Sequence, residues 1–300
     1  MKRCLSVLPL FLLIGLVTNG QVTDSSSIST STAVTTDTTV LPTMQQTVSV
    51  SDDVYKMKPK LDIPLTILLD GWSIYGMSVI YGRERTPESE ILALNKNNIN
   101  SFDRPIANNY SEKSADLSDK FFYGSMPLPI LLMLDKKMRK DGLKLGLLFL
   151  ETMGTTGALY VSSAMIAERF RPYTYNPEVP IATRTRGGGK NSFFAGHPAV
   201  VASSTFFMAK VISDYHPNMK NKWILYTLAG SATAATGLLR LDAGQHFKTD
   251  VITGVTIGTL VGILVPHFHK NKNLKDQRLT LMPAFGNGGT GFSATYKLDR

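Results

Sequence analysis

The segment 240–250 reads RLDAGQHFKTD and places Arg240, His246 and Asp250 close together in an otherwise apolar region. If a helix begins near Lys248, His246 lies at its entrance and Asp250 lies on the same side one turn later. An aspartate in that place accepts the Nδ1 proton of His246 and leaves Nε2 with a free lone pair. Such a histidine is a metal ligand or a nucleophile, and the neighbouring arginine favours an anionic partner over a metal cation. Taken alone, the segment also fits a surface His–Asp pair without a function.

Two further segments supply the other groups that an oxyanion site needs. ERFRPYTYNP contributes Arg169 and Arg171, and KNSFFAGHPAV contributes Lys190, Gly196 and His197 just before an apolar helix. A glycine ahead of a helix exposes backbone N–H groups to an anion, and the N-terminal end of a helix favours negative charge. His197 can then protonate a leaving oxygen. With the first segment, these residues predict a site for an anionic group.

In their order and spacing, the three segments resemble the motifs of the type 2 phosphatidic acid phosphatase (PAP2) family, which shares its site with the vanadium haloperoxidases. That pattern is Lys-x6-Arg-Pro, then Pro-Ser-Gly-His, then Ser-Arg-x5-His-x3-Asp. The matching residues here are Arg171-Pro172, Gly196-His197, and Arg240, His246 and Asp250. On this resemblance the chain is identified as an exported or membrane-associated bacterial member of the family.

The chain departs from the family pattern in all three motifs. The differing residues are Ala164 in place of the lysine, Phe194-Ala195 in place of Pro-Ser, and Leu239 in place of the last serine. We expect Arg169 or Lys190 to replace the missing cation, because both lie close to matched positions. Losing one charge-assisted donor removes about 1.5–3 kcal/mol of interaction, which slows an enzyme without abolishing its activity.

The resemblance implies a role for each matched residue. Arg171 and Arg240 hold the phosphoryl oxygens, with backbone N–H groups at Gly196, while His246 attacks phosphorus to give a phosphohistidine. Asp250 stabilises the imidazolium, and His197 protonates the leaving alcohol and then activates water. The resemblance therefore implies catalysis without a metal ion or a cofactor.

The expected activity is hydrolysis of a phosphomonoester or diphosphate, and apolar helices beside the site favour a lipid substrate. By analogy with the family, the substrate classes are phosphatidate, phosphatidylglycerol phosphate, undecaprenyl diphosphate and lipid A. Two alternatives stay open: a vanadate-dependent haloperoxidase that uses the same pocket, and a non-catalytic envelope protein with a decayed site. The formal charge of +9 suits an anionic partner such as a membrane surface. Nucleic acid is not expected, because no zinc-finger spacing or basic run with interleaved aromatics occurs.

The apolar segments predict an all-α fold, a helical-bundle core of the PAP2–haloperoxidase type. Their lengths and their content of Ala, Leu, Met and Gly favour helices over strands. The segments are 61–82, 125–134, 143–166, 198–213, 223–239 and 251–266. The polar stretch between the first two reads mainly as loop. Near the C-terminus, RLTLMPAF and GFSATYKL alternate around a glycine-rich turn and predict a short β-hairpin.

The chain divides into four regions by composition. Residues 1–20 have the form of a signal peptide, 21–53 form a Ser/Thr-rich tether, 54–270 form the phosphatase domain, and 271–300 form a basic tail that holds the hairpin. We therefore expect export to the periplasm or cell envelope. Basic loops after alternate apolar segments favour integration into the inner membrane instead, so membrane integration stays open. The sequence does not indicate an oligomeric state.

Overall fold

The computed structural model describes residues 53–271 together with the backbone of two strands near the C-terminus. The expected signal peptide and nearly all of the Ser/Thr-rich tether lie outside the described residues. Nine α-helices occur in the described part. They are α1 (Pro59–Tyr81), α2 (Glu88–Leu92), α3 (Glu112–Ser125), α4 (Lys136–Lys140), α5 (Gly142–Ala167), α6 (Ile181–Arg184), α7 (Gly196–Tyr215), α8 (Lys222–Asp242) and α9 (Lys248–His269). The all-α prediction is confirmed.

Helix α7 lies at the centre of the bundle and packs against α3, α5, α8 and α9. Its contact with α9 is the closest, because glycines recur every four residues along the facing side of α9. Ideal Cβ atoms at Gly254, Gly258 and Gly262 would lie only 2.2–2.6 Å from backbone carbonyl oxygens of α7 and of the residue just before it. The two backbones therefore approach as closely as glycine allows, which fixes the start of α9 against the start of α7.

Helices α1 and α5 form a second close pair on one side of α7. The outer face of α1 is apolar, with Ile67 and Leu68 each 67% exposed. Helices α1 and α9 are long and apolar enough to cross a membrane, and most of their residues are not buried within the protein. Large exposed apolar surfaces of this kind mark contact with a membrane or a partner.

The polar stretch after α1 is more ordered than its composition predicts. The loop prediction is wrong for residues 112–120, which belong to α3. Ser111 is the N-cap of this helix and accepts a hydrogen bond from the Ser114 amide. The apolar segment that follows is a 3₁₀ helix, Leu128–Leu134, rather than an α-helix. Helix α3 packs on α7 and α8 and brings its own polar side chains to their ends.

The alternating residues near the C-terminus form the expected hairpin. Strand β1 (Leu279–Gly286) pairs antiparallel with β2 (Gly289–Tyr296), in a register that sets Leu279 opposite Tyr296.

Candidate active site

His246 lies in the short connection between α8 and α9 and is 1% exposed. Its Nδ1 atom lies 2.7 Å from the backbone carbonyl oxygen of Ser192. A carbonyl only accepts, so Nδ1 carries the proton and Nε2 keeps the lone pair. The free Nε2 agrees with the sequence prediction. The predicted acceptor of the Nδ1 proton was Asp250, whereas the acceptor in the structure is the Ser192 carbonyl.

Asp250 is fully buried and both of its oxygens are engaged by other donors. One oxygen accepts from Arg169 at 2.5 Å. The other accepts from the Ser192 hydroxyl at 2.6 Å and from the Phe247 amide at 2.8 Å. Asp250 is the third residue of α9, where a carboxylate caps the free N–H groups of the first turn. It therefore holds Ser192, whose carbonyl in turn orients His246.

Both cations that were expected to replace the missing lysine have carboxylate partners in the structure. Arg169 donates to Asp250 and, at 2.8 Å, to the fully buried Asp103, and its guanidinium lies over the Phe247 ring. Lys190 pairs with Glu90 at 2.9 Å. In the free protein, two buried carboxylates bind Arg169, and a partly exposed carboxylate pairs with Lys190. A phosphate-binding role for either residue stays a prediction.

Asp103 anchors the loop that precedes α3 to the start of α9. Burial raises the pKa of this carboxyl, but hydrogen bonds from Thr249, Arg169 and Asn100 outweigh burial and lower it to about 2. The carboxylate is thus charged at all physiological pH values and compensates the charge of Arg169.

Arg171 has no carboxylate partner within the described residues, and Arg240 has only the partly exposed carboxylate of Asp119, at 3.3 Å. The two arginines are 8% and 4% exposed, and both donate to the side-chain oxygen of Gln245, Arg240 at a distance of 3.4 Å. The Nε atoms of both arginines are buried without a hydrogen-bond partner among the described residues. Two buried guanidinium groups that share a neutral acceptor and keep unused donors form a cradle suited to an oxyanion.

The position of Gln245 is set by the glycine that precedes it in the chain. Gly244 has a φ of +64°, and a Cβ there would lie 1.9 Å from the carbonyl oxygen of Asn109. Only glycine allows the chain to turn this tightly between α8 and α9. The turn places the Gln245 side chain within hydrogen-bond reach of both guanidiniums, and His246 is the next residue in the chain.

His197 is the second residue of α7 and faces the same cradle. Its Nε2 lies 2.9 Å from a carboxylate oxygen of Asp119 on α3, and that oxygen also accepts from Arg240 at 3.3 Å. The Phe122 ring stacks on the imidazole with centroids 4.3 Å apart. Asp119 thus joins the predicted acid–base histidine to one of the predicted phosphate-binding arginines.

The two histidines are uncharged in this environment. Burial and the charge of Arg240 lower the pKa of His197 to about 4, against the opposing effect of Asp119. Burial and both arginines hold the pKa of His246 well below its usual range. Burial also raises the pKa of Asp119, but the His197 hydrogen bond and the arginines reverse that effect, so its pKa is lowered. A bound anion would offset the arginines and favour protonated histidine.

Gly196 opens α7 beside this cluster. A Cβ at this position would lie 3.0–3.2 Å from the ring of Tyr160 on α5, so only glycine lets the helix start meet that ring. The first amides of a helix have no intrahelical acceptor, but the Ala195 amide donates to the Asp250 carbonyl at 3.0 Å. The unused donors at the helix start therefore begin at Gly196.

A pocket of about 450 Å³ opens next to the cradle. Its lining includes Arg171, Gln245, Arg186 and three tyrosines, Tyr81, Tyr110 and Tyr173. Arg186 is exposed and makes no ion pair within the described residues. The pocket gives a polar group access to Arg171 from solvent, and it has the size of a small headgroup.

The structure brings His246, His197, Asp250, Arg171, Arg240 and Gly196 together, as predicted. It also adds Gln245, Asp119 and Ser192, which the sequence reasoning missed. Gln245 and Ser192 lie inside the quoted segments but carry no spacing signal of their own. Asp119 could have been suspected from the N-cap Ser111, which marks the start of a helix after the polar loop.

Comparison with known proteins gives three findings. A sequence model of the PAP2 superfamily matches residues 145–274. A lipid A 4'-phosphatase from Porphyromonas gingivalis is 30% identical over 99 residues, which are 32% of this chain and 39% of that protein. A transmembrane PAP2-type phosphatidylglycerolphosphate phosphatase from Bacillus subtilis is structurally similar with a TM-score of 0.41 and 20% identity, over 69% of this chain and 94% of that one.

The matched region contains the three motif segments and every residue of the cradle except Asp119. The chain spans well under half of the length of the curated relative that it matches. Residues 145–274 are thus similar in sequence to the PAP2 superfamily.

Proposed function

We propose that this protein is a lipid phosphatase that transfers a phosphoryl group first to His246 and then to water. The observation that carries the proposal is a pair of buried arginines with a single, partly exposed carboxylate between them, Asp119, beside a buried neutral histidine. Burying two like charges together is costly unless a ligand or partner repays that cost. A phosphate ester does so, and it brings phosphorus to the free lone pair of His246.

In the first step, Nε2 of His246 attacks phosphorus while Arg171 and Arg240 neutralise the charge on the phosphoryl oxygens. The bond from phosphorus to the ester oxygen breaks, and the leaving alkoxide takes a proton from His197. The carbonyl of Ser192 accepts from Nδ1 of His246 and stabilises the positive charge that develops on this ring. The product is a phosphohistidine and a free alcohol.

In the second step, water attacks the phosphohistidine. His197, now neutral, takes a proton from that water, and the bond between phosphorus and Nε2 breaks to release phosphate and restore His246. The two arginines fill the cationic role in both steps, so the proposed reaction needs no metal ion.

Asp119 has a defined place in this cycle. In the free protein it accepts from both His197 and Arg240, so a phosphoryl oxygen must compete with it for these donors. Its negative charge also supports the protonated form of His197 that the first step requires.

A lipid substrate is supported by the surface around the site and by the comparisons. The exposed apolar face of α1 ends at Tyr81, which lines the pocket beside Arg171. A protein seated in a membrane through α1 and α9 would present the cradle to headgroups rather than to soluble esters. The similarity to a lipid A 4'-phosphatase makes a phosphorylated lipid A the first substrate to test, followed by phosphatidylglycerol phosphate, phosphatidate and undecaprenyl diphosphate.

The proposal is tested by phosphate release from these four lipids by the purified chain in mixed micelles with EDTA. We expect release from at least one lipid by the wild type and none by His246→Ala. The control is His216→Ala, since His216 pairs with Asp135 outside the cradle and its loss should leave turnover unchanged. No release by folded wild type from any lipid would reject the proposal.

A further inference from the structure

Arg186 lies on the wall of the pocket that also contains Arg171 and Gln245. Its side chain is exposed and makes no hydrogen bond or ion pair within the described residues. Arg171 is only 8% exposed, so it lies at the inner end of the same pocket. The two guanidiniums therefore mark two depths of one cavity, a buried one that belongs to the cradle and an accessible one nearer to solvent.

The other cations on the loop 181–190, or in contact with it, already have partners. These pairs are Arg83 with Glu168, Arg85 with Thr185, Arg184 with the Thr174 carbonyl, and Lys190 with Glu90. Among the described cations of this loop, Arg186 keeps its guanidinium available for a ligand. A guanidinium presents several N–H donors in a planar arrangement that matches the oxygens of a phosphate.

Backbone hydrogen bonds on both sides fix the position of Arg186 in the pocket wall. On one side, the Thr86 amide donates to the Thr185 carbonyl at 2.8 Å. On the other side, the Gly189 amide donates to the Arg186 carbonyl and the Gly189 carbonyl accepts from the Arg171 amide, both at 2.8 Å. The fold therefore sets the separation of the Arg186 and Arg171 backbones, while the exposed Arg186 side chain can still adjust to a ligand.

Two carboxylates, Glu112 and Asp116 of α3, also line the pocket. Glu112 accepts from the Tyr110 hydroxyl at 2.7 Å, and neither carboxylate forms an ion pair with Arg186. Their charges disfavour an anion on the α3 side of the pocket. A ligand with two anionic groups is therefore best placed with one group at Arg171 and the other at Arg186.

We propose that Arg186 forms a second anion subsite, which binds the phosphate next to the one that reacts, so that the enzyme prefers the diphosphate form of a lipid to its monophosphate. This inference rests on the proposed phosphatase function and makes its substrate class narrower. His246 attacks the terminal phosphorus in the cradle, and the bond from that phosphorus to the bridging oxygen breaks. The bridging oxygen leaves with its electron pair on the inner phosphate, and Arg186 neutralises the charge that this phosphate gains.

The test compares two lipids with the same acyl chains, a diacylglycerol diphosphate and the corresponding phosphatidate, in mixed micelles with the full-length chain. The value of kcat/KM is measured for the wild type, Arg186→Gln and Arg186→Lys. The matched control is Arg139→Gln, which removes the same charge from an exposed arginine of α4 outside the pocket. Titration calorimetry with methylenediphosphonate, whose P–C–P link is not hydrolysed, and with inorganic phosphate measures binding without turnover.

We expect Arg186→Gln to lower kcat/KM for the diphosphate roughly tenfold, the low end for a hydrogen bond to a charged group, because the subsite is exposed. Turnover of phosphatidate should change less than about twofold, since a single phosphate occupies only the cradle. Affinity for methylenediphosphonate should fall by the same factor as kcat/KM, and affinity for phosphate should stay. Arg186→Lys should keep part of the effect, because it keeps the charge without the planar donors. The loss should shrink as salt rises, because exposed charges are screened.

The outcomes separate this inference from the phosphatase proposal. If the wild type hydrolyses lipid and Arg186→Gln lowers turnover of both lipids equally, or of neither, the subsite is overturned and the phosphatase stands. If the wild type hydrolyses no lipid but binds methylenediphosphonate through Arg186, the subsite is supported and the phosphatase is rejected. Equal affinity of the wild type and Arg186→Gln for methylenediphosphonate would overturn the subsite, whatever the turnover.

Discussion

Arg171 and Arg240 are buried side by side and share one neutral acceptor, the side-chain oxygen of Gln245. Each guanidinium also keeps a buried Nε without a partner in the described part of the chain. This arrangement stores repulsion between two like charges in the free protein, which a bound anion relieves.

The first prediction concerns Gln245→Glu, which places a negative charge between the two guanidiniums. We expect the variant to unfold at higher temperature, because a hydrogen bond to a charged group contributes about 1.5–3 kcal/mol. The same carboxylate should weaken vanadate binding at least about 100-fold, since it occupies the anion site. Differential scanning calorimetry and titration calorimetry measure the two effects. Loss of stability together with unchanged vanadate affinity would contradict the assignment of the cradle.

The second prediction separates a structural arginine from a phosphate-binding one. Arg169→Gln leaves the fully buried carboxylates of Asp103 and Asp250 without their cation. Breaking a buried ion pair from one side costs about 3–5 kcal/mol, so the unfolding free energy should fall by that amount. Arg171→Gln should instead abolish vanadate binding and keep or raise stability. Chemical denaturation measures the unfolding free energy of both variants, with Lys190→Gln as a control, and shows which arginine is structural.

The third prediction concerns Asp250→Asn. If Asp250 accepted the Nδ1 proton of His246, this change would force the wrong tautomer and lower kcat by about 10⁴-fold, as in a serine protease triad. In this structure the acceptor is the Ser192 carbonyl, which the substitution leaves in place. We therefore expect a loss in kcat of only about tenfold, from the weakened support of Ser192. Steady-state kinetics on the preferred lipid provides the measurement, and a loss near 10⁴-fold would restore Asp250 as the partner.

The fourth prediction concerns proton uptake on anion binding. In the free protein, burial and Arg240 lower the pKa of His197 to about 4, so the ring is neutral at pH 6. A bound anion offsets Arg171 and Arg240 and raises this pKa, as it does for the neighbouring His246. Binding should therefore take up protons above pH 4, and affinity should rise as the pH falls towards that value.

Sulfate is the suitable probe because it does not itself titrate in this range. Calorimetry in buffers of different ionisation enthalpy gives the number of protons taken up at pH 6. His197→Gln should reduce that number, and Asp119→Asn should shift the pH dependence to lower pH, because Asp119 supports the charged form of His197. Sulfate binding without proton uptake at pH 6 would contradict this description of the histidines.

The three motif segments can be identified from the sequence because the residues of each motif are close together in the chain. Arg240, His246 and Asp250 lie within three helical turns, and the spacing alone brings them to one end of α8 and α9. The all-α fold follows from the length and apolar content of the segments in the same way. The contacts that set each side chain's role are not local.

The partners of Arg169 and Arg171 show why sequence spacing does not predict the side-chain contacts of the site. Arg171 meets Gln245 across 74 residues, and Arg169 meets Asp250 across 81. Sequence proximity suggested that Arg169 could replace the missing lysine, whereas the fold gives it to two buried carboxylates. Helix α3 was missed because its sequence is polar on average and was read as part of a polar loop, although its apolar residues do recur on one face. Asp119 was missed with it. The spacing of residues along the chain does not indicate which side chains pair across the bundle.

The most direct test of the central claim is to trap the phosphoryl group on His246. An aryl phosphate supplies a leaving group that needs no proton, so His197→Ala should form the phosphohistidine and hydrolyse it slowly. Rapid quenching at alkaline pH followed by mass spectrometry of the peptides locates the phosphoryl group. The account predicts an acid-labile phosphoryl group on His246 in His197→Ala, and none in the double variant with His246→Ala. A phosphoryl group on another residue, or aryl phosphate turnover that persists without His246, would contradict it.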